Sequence, residues 1–265
     1  MNASFGYPYP TYIPSKTANG CVAGVVSISL IAWLIQSCQA RFQPTRISVL
    51  LLVSHMTIFI ELIVRATVPA EQQNSRTVFA ITNMLFAIGQ RMIIVGNFAF
   101  VMEIHHKKSR FILLSAMLCV ITSGVLMVPA NMLAFKPENI STSYLFRELS
   151  ASILLTGTVV FYPVWYWSRT IHDMNSKALV LMCVSSIMCL TVGIFNLLQS
   201  LQEFYTTINH HEGWFFGFQM VPIIFAHFTW SVCHPKRSLT TNSGYEKETQ
   251  REGLTIDEHF QENTI

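Results

Sequence analysis

Phe111–Phe135 reads FILLSAMLCVITSGVLMVPANMLAF, without one Asp, Glu, Lys or Arg, between Lys107, Lys108 and Arg110 on one side and Lys136 on the other. A helix of roughly 20 mainly apolar residues crosses about 30 Å of hydrocarbon. A membrane strand needs only about 10 residues and alternates in hydrophobicity, which this stretch does not. Working outward, similar charge-free spans fall at 17–40, 149–168, 178–202 and 213–233. Two more, 47–68 and 77–102, are broken only by Glu61 and Arg65 and by Arg91. The sum is an all-α integral membrane protein with seven transmembrane helices within residues 17–235. Residues 1–16 form an N-terminal segment, and 236–265, polar and rich in acids, a disordered tail. Composition agrees, since charged residues make up 12% of the 265, about half the usual share of a soluble protein. A soluble enzyme is excluded.

Basic loops stay on the cytoplasmic side of a membrane. Alternate loops hold eleven Lys and Arg in one set and only Lys16, Arg76, Lys136 and Arg147 in the other. This predicts an extracellular N-terminus and a cytoplasmic C-terminus. The sequon Asn139-Ile140-Ser141 falls in a loop on the predicted outer side and makes Asn139 a glycosylation candidate. Met1–Ser15 lacks the basic start of a cleavable leader, so the first span anchors itself. Phe161, Tyr162, Trp165, Tyr166 and Trp167 read as an interfacial aromatic belt. The six cysteines lie in or beside the spans, and no disulfide framework is expected.

A charge at the bilayer centre costs at least about 2.5–3.5 kcal/mol, so Glu61, Arg65 and Arg91 single themselves out. Glu61 and Arg65 stand four apart on one helical face. The reading is that Glu61 and Arg91 face a shared polar cavity while Arg65 extends toward the outer surface, against a purely structural ion pair between helices two and three. Asn83, Asn131, Asn196, Gln199 and Gln219 add a polar interior biased to the outer half, and Glu212 closes the last outer loop. Pro129, Pro163 and Pro222 interrupt three helices. Gly20 and Gly24 suggest a helix contact. His55 and His227 read as hydrogen-bonded intramembrane histidines, with a proton relay as the alternative. His210, His211 and the nearby acids match no zinc spacing.

No phosphate loop, zinc helix or nucleophile elbow is present, so neither a catalytic residue, a metal nor a cofactor is expected, and any use of ATP would be indirect. Nothing points to nucleic acid.

Tyr9-Pro10-Thr11-Tyr12-Ile13-Pro14-Ser15 with Asn19, Glu61-Leu62-Ile63-Val64-Arg65, Gly89-Gln90-Arg91, and Phe195–Leu239 with Glu212, Gln219, Pro222 and His234-Pro235 together resemble the fungal lipid-translocating exporter family. That seven-helix group includes proteins of 7-aminocholesterol resistance, sphingoid long-chain-base export and protoporphyrin uptake. The resemblance implies transport of amphipathic lipid-like molecules such as sphingoid bases, phospholipids or toxic sterol-like compounds, in the plasma membrane or another fungal endomembrane. Where the family carries charges in helices six and seven, this chain has Asn196, Gln199 and Gln219, and helix four lacks the family's Asp and Gln. These departures imply another substrate or lost transport. The alternative function is a seven-helix receptor or sensor signalling to cytoplasmic partners, although the end of helix three reads Met102-Glu103-Ile104-His105 and carries no Asp-Arg-Tyr.

Overall fold

The structure, a computed structural model, describes residues 7–10, 12, 14–73, 75–104, 110–168, 174–236 and 238. Among them seven helices are long and apolar enough to cross a membrane, and there is no strand. They are α1 (Lys16–Gln39), α2 (Thr45–Thr67), α4 (Arg76–Ile104), α5 (Arg110–Leu133), α6 (Ile140–Trp167), α7 (Ser176–Ser200) and a composite seventh. The seventh joins α9 (Glu212–Phe215), a π-helical turn at Phe216–Met220 and α10 (Val221–Val232). Short helices α3 (Ala70–Gln73) and α8 (Gln202–Ile208) lie in connections at the end that holds the N-terminus.

The helices start where side chains satisfy the orphan backbone donors of a first turn. Ser15 Oγ accepts from the Ala18 N–H at 3.2 Å, and Asn175 Oδ1 from that of Ala178 at 2.7 Å. Packing closes a ring in chain order, α1 on α2, α2 on α4, α4 on α5, α5 on α6, α6 on α7, α7 on α10 and α10 back on α1. Helix α4 also touches α6 and α7, which places it centrally. Its most apolar window is 56% buried, whereas that of α5 is 17% buried. Ile28, Ile31, Leu118, Ile121 and Val125 are exposed on outer faces. Apolar area on this scale is unusual for a chain facing water and suits one facing lipid.

Several expectations change. The fifth span begins at Ile140, not at Leu149, so Arg147 belongs to a helix rather than to a loop. Helices α5 and α6 run unbroken through Pro129 and Pro163. Pro222 sits in the first turn of α10, where its missing N–H follows the π turn and loosens the ladder there. A Cβ on Gly20 or Gly24 would meet nothing within 4 Å, so they are not a helix contact. Phe161 and Trp165 are buried, with Phe161 edge-on to Phe98 at 5.1 Å, while Tyr166 and Trp167 alone keep the belt's exposure. All six cysteines are free. The basic loop 105–109 and the tail lie outside the described residues, apart from Lys236 and Ser238.

Candidate functional site

A cavity of about 130 Å³ opens among α2, α4, α6, α7 and the π turn, at the end of the bundle that holds the N-terminus. Six of the residues expected there line it, Arg65, Asn83, Arg91, Asn196, Gln199 and Gln219. Glu61, Asn131 and Glu212 do not.

Arg91 reaches the cavity floor without meeting Glu61. Its Nε donates to Ser123 Oγ at 3.0 Å, Nη1 to the Ala87 carbonyl at 3.0 Å and Nη2 to Ser150 Oγ at 3.1 Å. The expected Glu61–Arg91 partnership fails because of helix rotation. Gly89 faces α2 so closely that a Cβ would approach Ile58 to 2.7 Å, and Arg91, two residues on, is turned by about 200° at 3.6 residues per turn. It therefore points at α5 and α6, beside Gly124, where a Cβ would lie 3.8 Å from Arg91 Nε in ordinary contact.

Glu61, fully buried, is paired with Arg65 through Oε1, which accepts from Arg65 Nε. This is the one ion pair among the described residues. Arg65 does not extend to the surface as expected, because its guanidinium lies over the Phe215 ring at 4.5 Å. Gln73 ties down the end of α2 by donating to the carbonyls of Arg65 at 3.1 Å and Val68 at 3.2 Å. The helix-two motif thus places a pinned cation on the cavity wall and its counter-ion behind it.

The amides form a directed chain. Asn209 Nδ2 donates to the Tyr205 carbonyl at 2.9 Å, which leaves its Oδ1 to accept from Gln199 Nε2 at 2.7 Å. Gln199 Oε1 then accepts from Gln219 Nε2 at 2.9 Å, and the same nitrogen serves Asn196 Oδ1 at 2.7 Å. Asn196 Nδ2 donates to Gln90 Oε1 at 2.7 Å. A backbone carbonyl can only accept, so the anchor sets the polarity of every link. The chain ends in Gln90 Nε2, a buried donor with no partner, and Asn83 Nδ2 and Arg147 Nε share that condition. One buried acceptor on the wall, Gln73 Oε1, is likewise bare.

Gln90 and Arg147 were not foreseen. Arg147 lines the cavity and donates from Nη2 to Asn131 Oδ1 at 3.0 Å, which is the role left for Asn131. Its sequence signal is the spacing Ser143, Arg147, Ser150, Leu154 along one face of α6, hidden when the charge was assigned to a loop.

Pro8, Pro10, Tyr12 and Pro14, in the strap before α1, line the cavity at the end that holds the N-terminus. Tyr205 Oη donates to the Pro8 carbonyl at 2.6 Å, Tyr7 hydrogen-bonds Ser143, and Arg147 lies over the Tyr7 ring at 5.1 Å. Alternating prolines hold φ fixed, which lowers the entropy lost in ordering such a strap. Burial pushes the Tyr12 phenol up to about 12, against the opposing pull of Arg65. Glu212 secures the strap's far end, accepting from the Ser15 N–H at 2.8 Å and Asn19 Nδ2 at 3.4 Å. Asn139 is half-buried in a 3₁₀ turn before α6.

Next to the polar cavity lies an apolar groove of about 270 Å³ between α4, α5 and α6, flanked by Phe98, Ala116, Val120 and Gly157. Leu154 belongs to both walls. Among the described residues no group of three His, Cys, Asp or Glu side chains is placed to hold a metal. No protein-family model, no curated protein and no solved structure matches the chain.

Proposed function

We propose that this seven-helix protein moves an amphipathic lipid-like molecule across, or out of, a fungal membrane, with its N-terminus outside and its C-terminus in the cytoplasm. The reading is supported above all by Leu154, one wall residue common to a polar cavity and an apolar groove. Such a pair of compartments suits a molecule with a polar head and a hydrocarbon tail. The resemblance to the lipid-translocating exporters points the same way. Orientation rests on charge, because eleven Lys and Arg lie in one set of loops or at the helix ends that flank them and, with Arg147 two turns inside α6, only Lys16, Arg76 and Lys136 do so on the other side. The chain acts as a carrier without catalytic residues of its own, its partners being membrane lipids and the amphiphile.

Purified protein in phosphatidylcholine vesicles should accelerate exchange of fluorescent lysophospholipids or sphingoid bases between leaflets. Protein-containing vesicles that match empty ones for every amphiphile would overturn the proposal. A specific ligand response in cells would then favour the receptor. Loss of a gel shift in Asn139→Gln would place that loop outside.

A further inference from the structure

We infer that the cavity receives an oxyanion, a phosphate or carboxylate carried at the end of an apolar chain, and not an amine. The inference rests on the amphiphile reading above and names its headgroup.

Among the described residues, three guanidinium groups, Arg65, Arg91 and Arg147, line the cavity and no Asp or Glu does. Glu61 answers only Arg65. Among the described residues no carboxylate pairs with Arg91 or Arg147. Arg91 is held by the hydroxyls of Ser123 and Ser150 and the Ala87 carbonyl; these orient the fork and leave its charge uncompensated. Each of its Nη atoms keeps a second N–H that can donate to an oxyanion.

The uncharged wall points the same way. The amide chain runs from the Tyr205 carbonyl to a free donor at Gln90 Nε2, and the other partnerless buried nitrogens of the wall are Asn83 Nδ2 and Arg147 Nε. The bare acceptor Gln73 Oε1 is the exception. An amine entering here would meet the two uncompensated charges of Arg91 and Arg147, the paired Arg65 and few bare acceptors. An oxyanion would neutralise the arginines and take up the donors. From the floor at Arg91 and Ser150, the shared Leu154 leads into the apolar groove, which sets the tail against α4, α5 and α6.

The test is equilibrium binding to the full chain in phosphatidylcholine nanodiscs, with probes of one chain length: a lysophosphatidic acid, a fatty acid, a monoacylglycerol and a sphingoid amine, with inorganic phosphate alone as the fifth. The two chain-bearing anions should bind about tenfold or more tighter than the amine and the neutral lipid. Arg91→Gln should weaken anion binding by about thirtyfold, as truncating one partner of a buried charge pair does, while Arg91→Lys recovers part of it. Should Arg91→Gln fail to fold, Arg147→Gln, at a half-buried position, should still reduce the preference. Equal or tighter binding of the amine overturns the inference, as does an anion preference that both glutamine variants retain. Inorganic phosphate binding as tightly as lysophosphatidic acid would support the oxyanion and overturn its attachment to a chain. Leaflet exchange without an anion preference leaves the transport reading standing and removes this one; anion binding without exchange does the reverse.

Discussion

The imidazole rings of His55 and His227 stack face to face, their centroids 3.9 Å apart and their planes 23° from parallel. His55 Nδ1 lies 2.8 Å from the Leu51 carbonyl and must donate to it. Ser54 spends its proton on the Gly89 carbonyl at 2.7 Å, so His227 Nε2, 2.8 Å away, donates to the hydroxyl. Each ring then donates from one nitrogen, and the two act as neutral struts between α1, α2 and α10, away from the cavity lining, with His227 Nδ1 buried and unpartnered. His227→Phe keeps the stacking and removes one hydrogen bond, for a loss of about 1 kcal/mol. The thermal midpoint of the purified protein should fall by a few degrees while the pH profile of leaflet exchange stays as in the wild type. A displaced profile would make the pair a proton relay.

Glu61 and Arg65 make a second prediction. Removing one partner of a buried pair strands the other charge, at a cost of about 3–5 kcal/mol. Glu61→Gln should therefore lower the yield of monodisperse protein sharply, and adding Arg65→Met should restore much of it. A double variant as unstable as the single one would show that the pair does not act as a unit.

Gln219 stands at the node of the amide chain, where one nitrogen serves both Asn196 and Gln199. Gln219→Glu exchanges that donor for a carboxylate in the cavity that the three arginines line. Relative binding of lysophosphatidic acid over sphingoid amine should drop by about tenfold, which corresponds to roughly 1.4 kcal/mol. Gln219→Leu should lose stability without that shift toward the amine.

The strap's tyrosines set an alkaline limit. Tyr12 is protonated up to about 12 because of burial, and burial raises Tyr9 and Tyr205 too. A phenol whose folded value lies above its unfolded one of about 10 stabilises the folded form fully below pH 10, and this contribution is lost as pH rises from 10 to 12. Titration followed by tyrosinate absorbance should show a late group of phenols, and the strap should become open to protease over that interval. Tyr205→Phe, which removes the bond to Pro8, should bring on cleavage at lower pH.

The spans were legible because lipid tolerates so few charges that their absence marks a helix. The same rule misplaced the start of α6, where a buried cavity accommodates Arg147 inside a span. Glu61 and Arg65 were legible as a pair from their spacing of four. The partners of Arg91 were not, since they depend on how close packing at Gly89 turns α4. The amides Asn196, Gln199 and Gln219 were seen as polar positions; their direction needed the Asn209 anchor, which only three-dimensional contact supplies.

The strap residues Pro8, Pro10, Tyr12 and Pro14 line the cavity at the end that holds the N-terminus, and the groove adjoins it from the side at Leu154, a route that starts in the lipid. An amphiphile taking that route arrives already dissolved in the bilayer. Its effective concentration is a mole fraction among lipids, so doubling the lipid at constant ligand should halve occupancy when binding is far from saturation, although nothing in the water has changed.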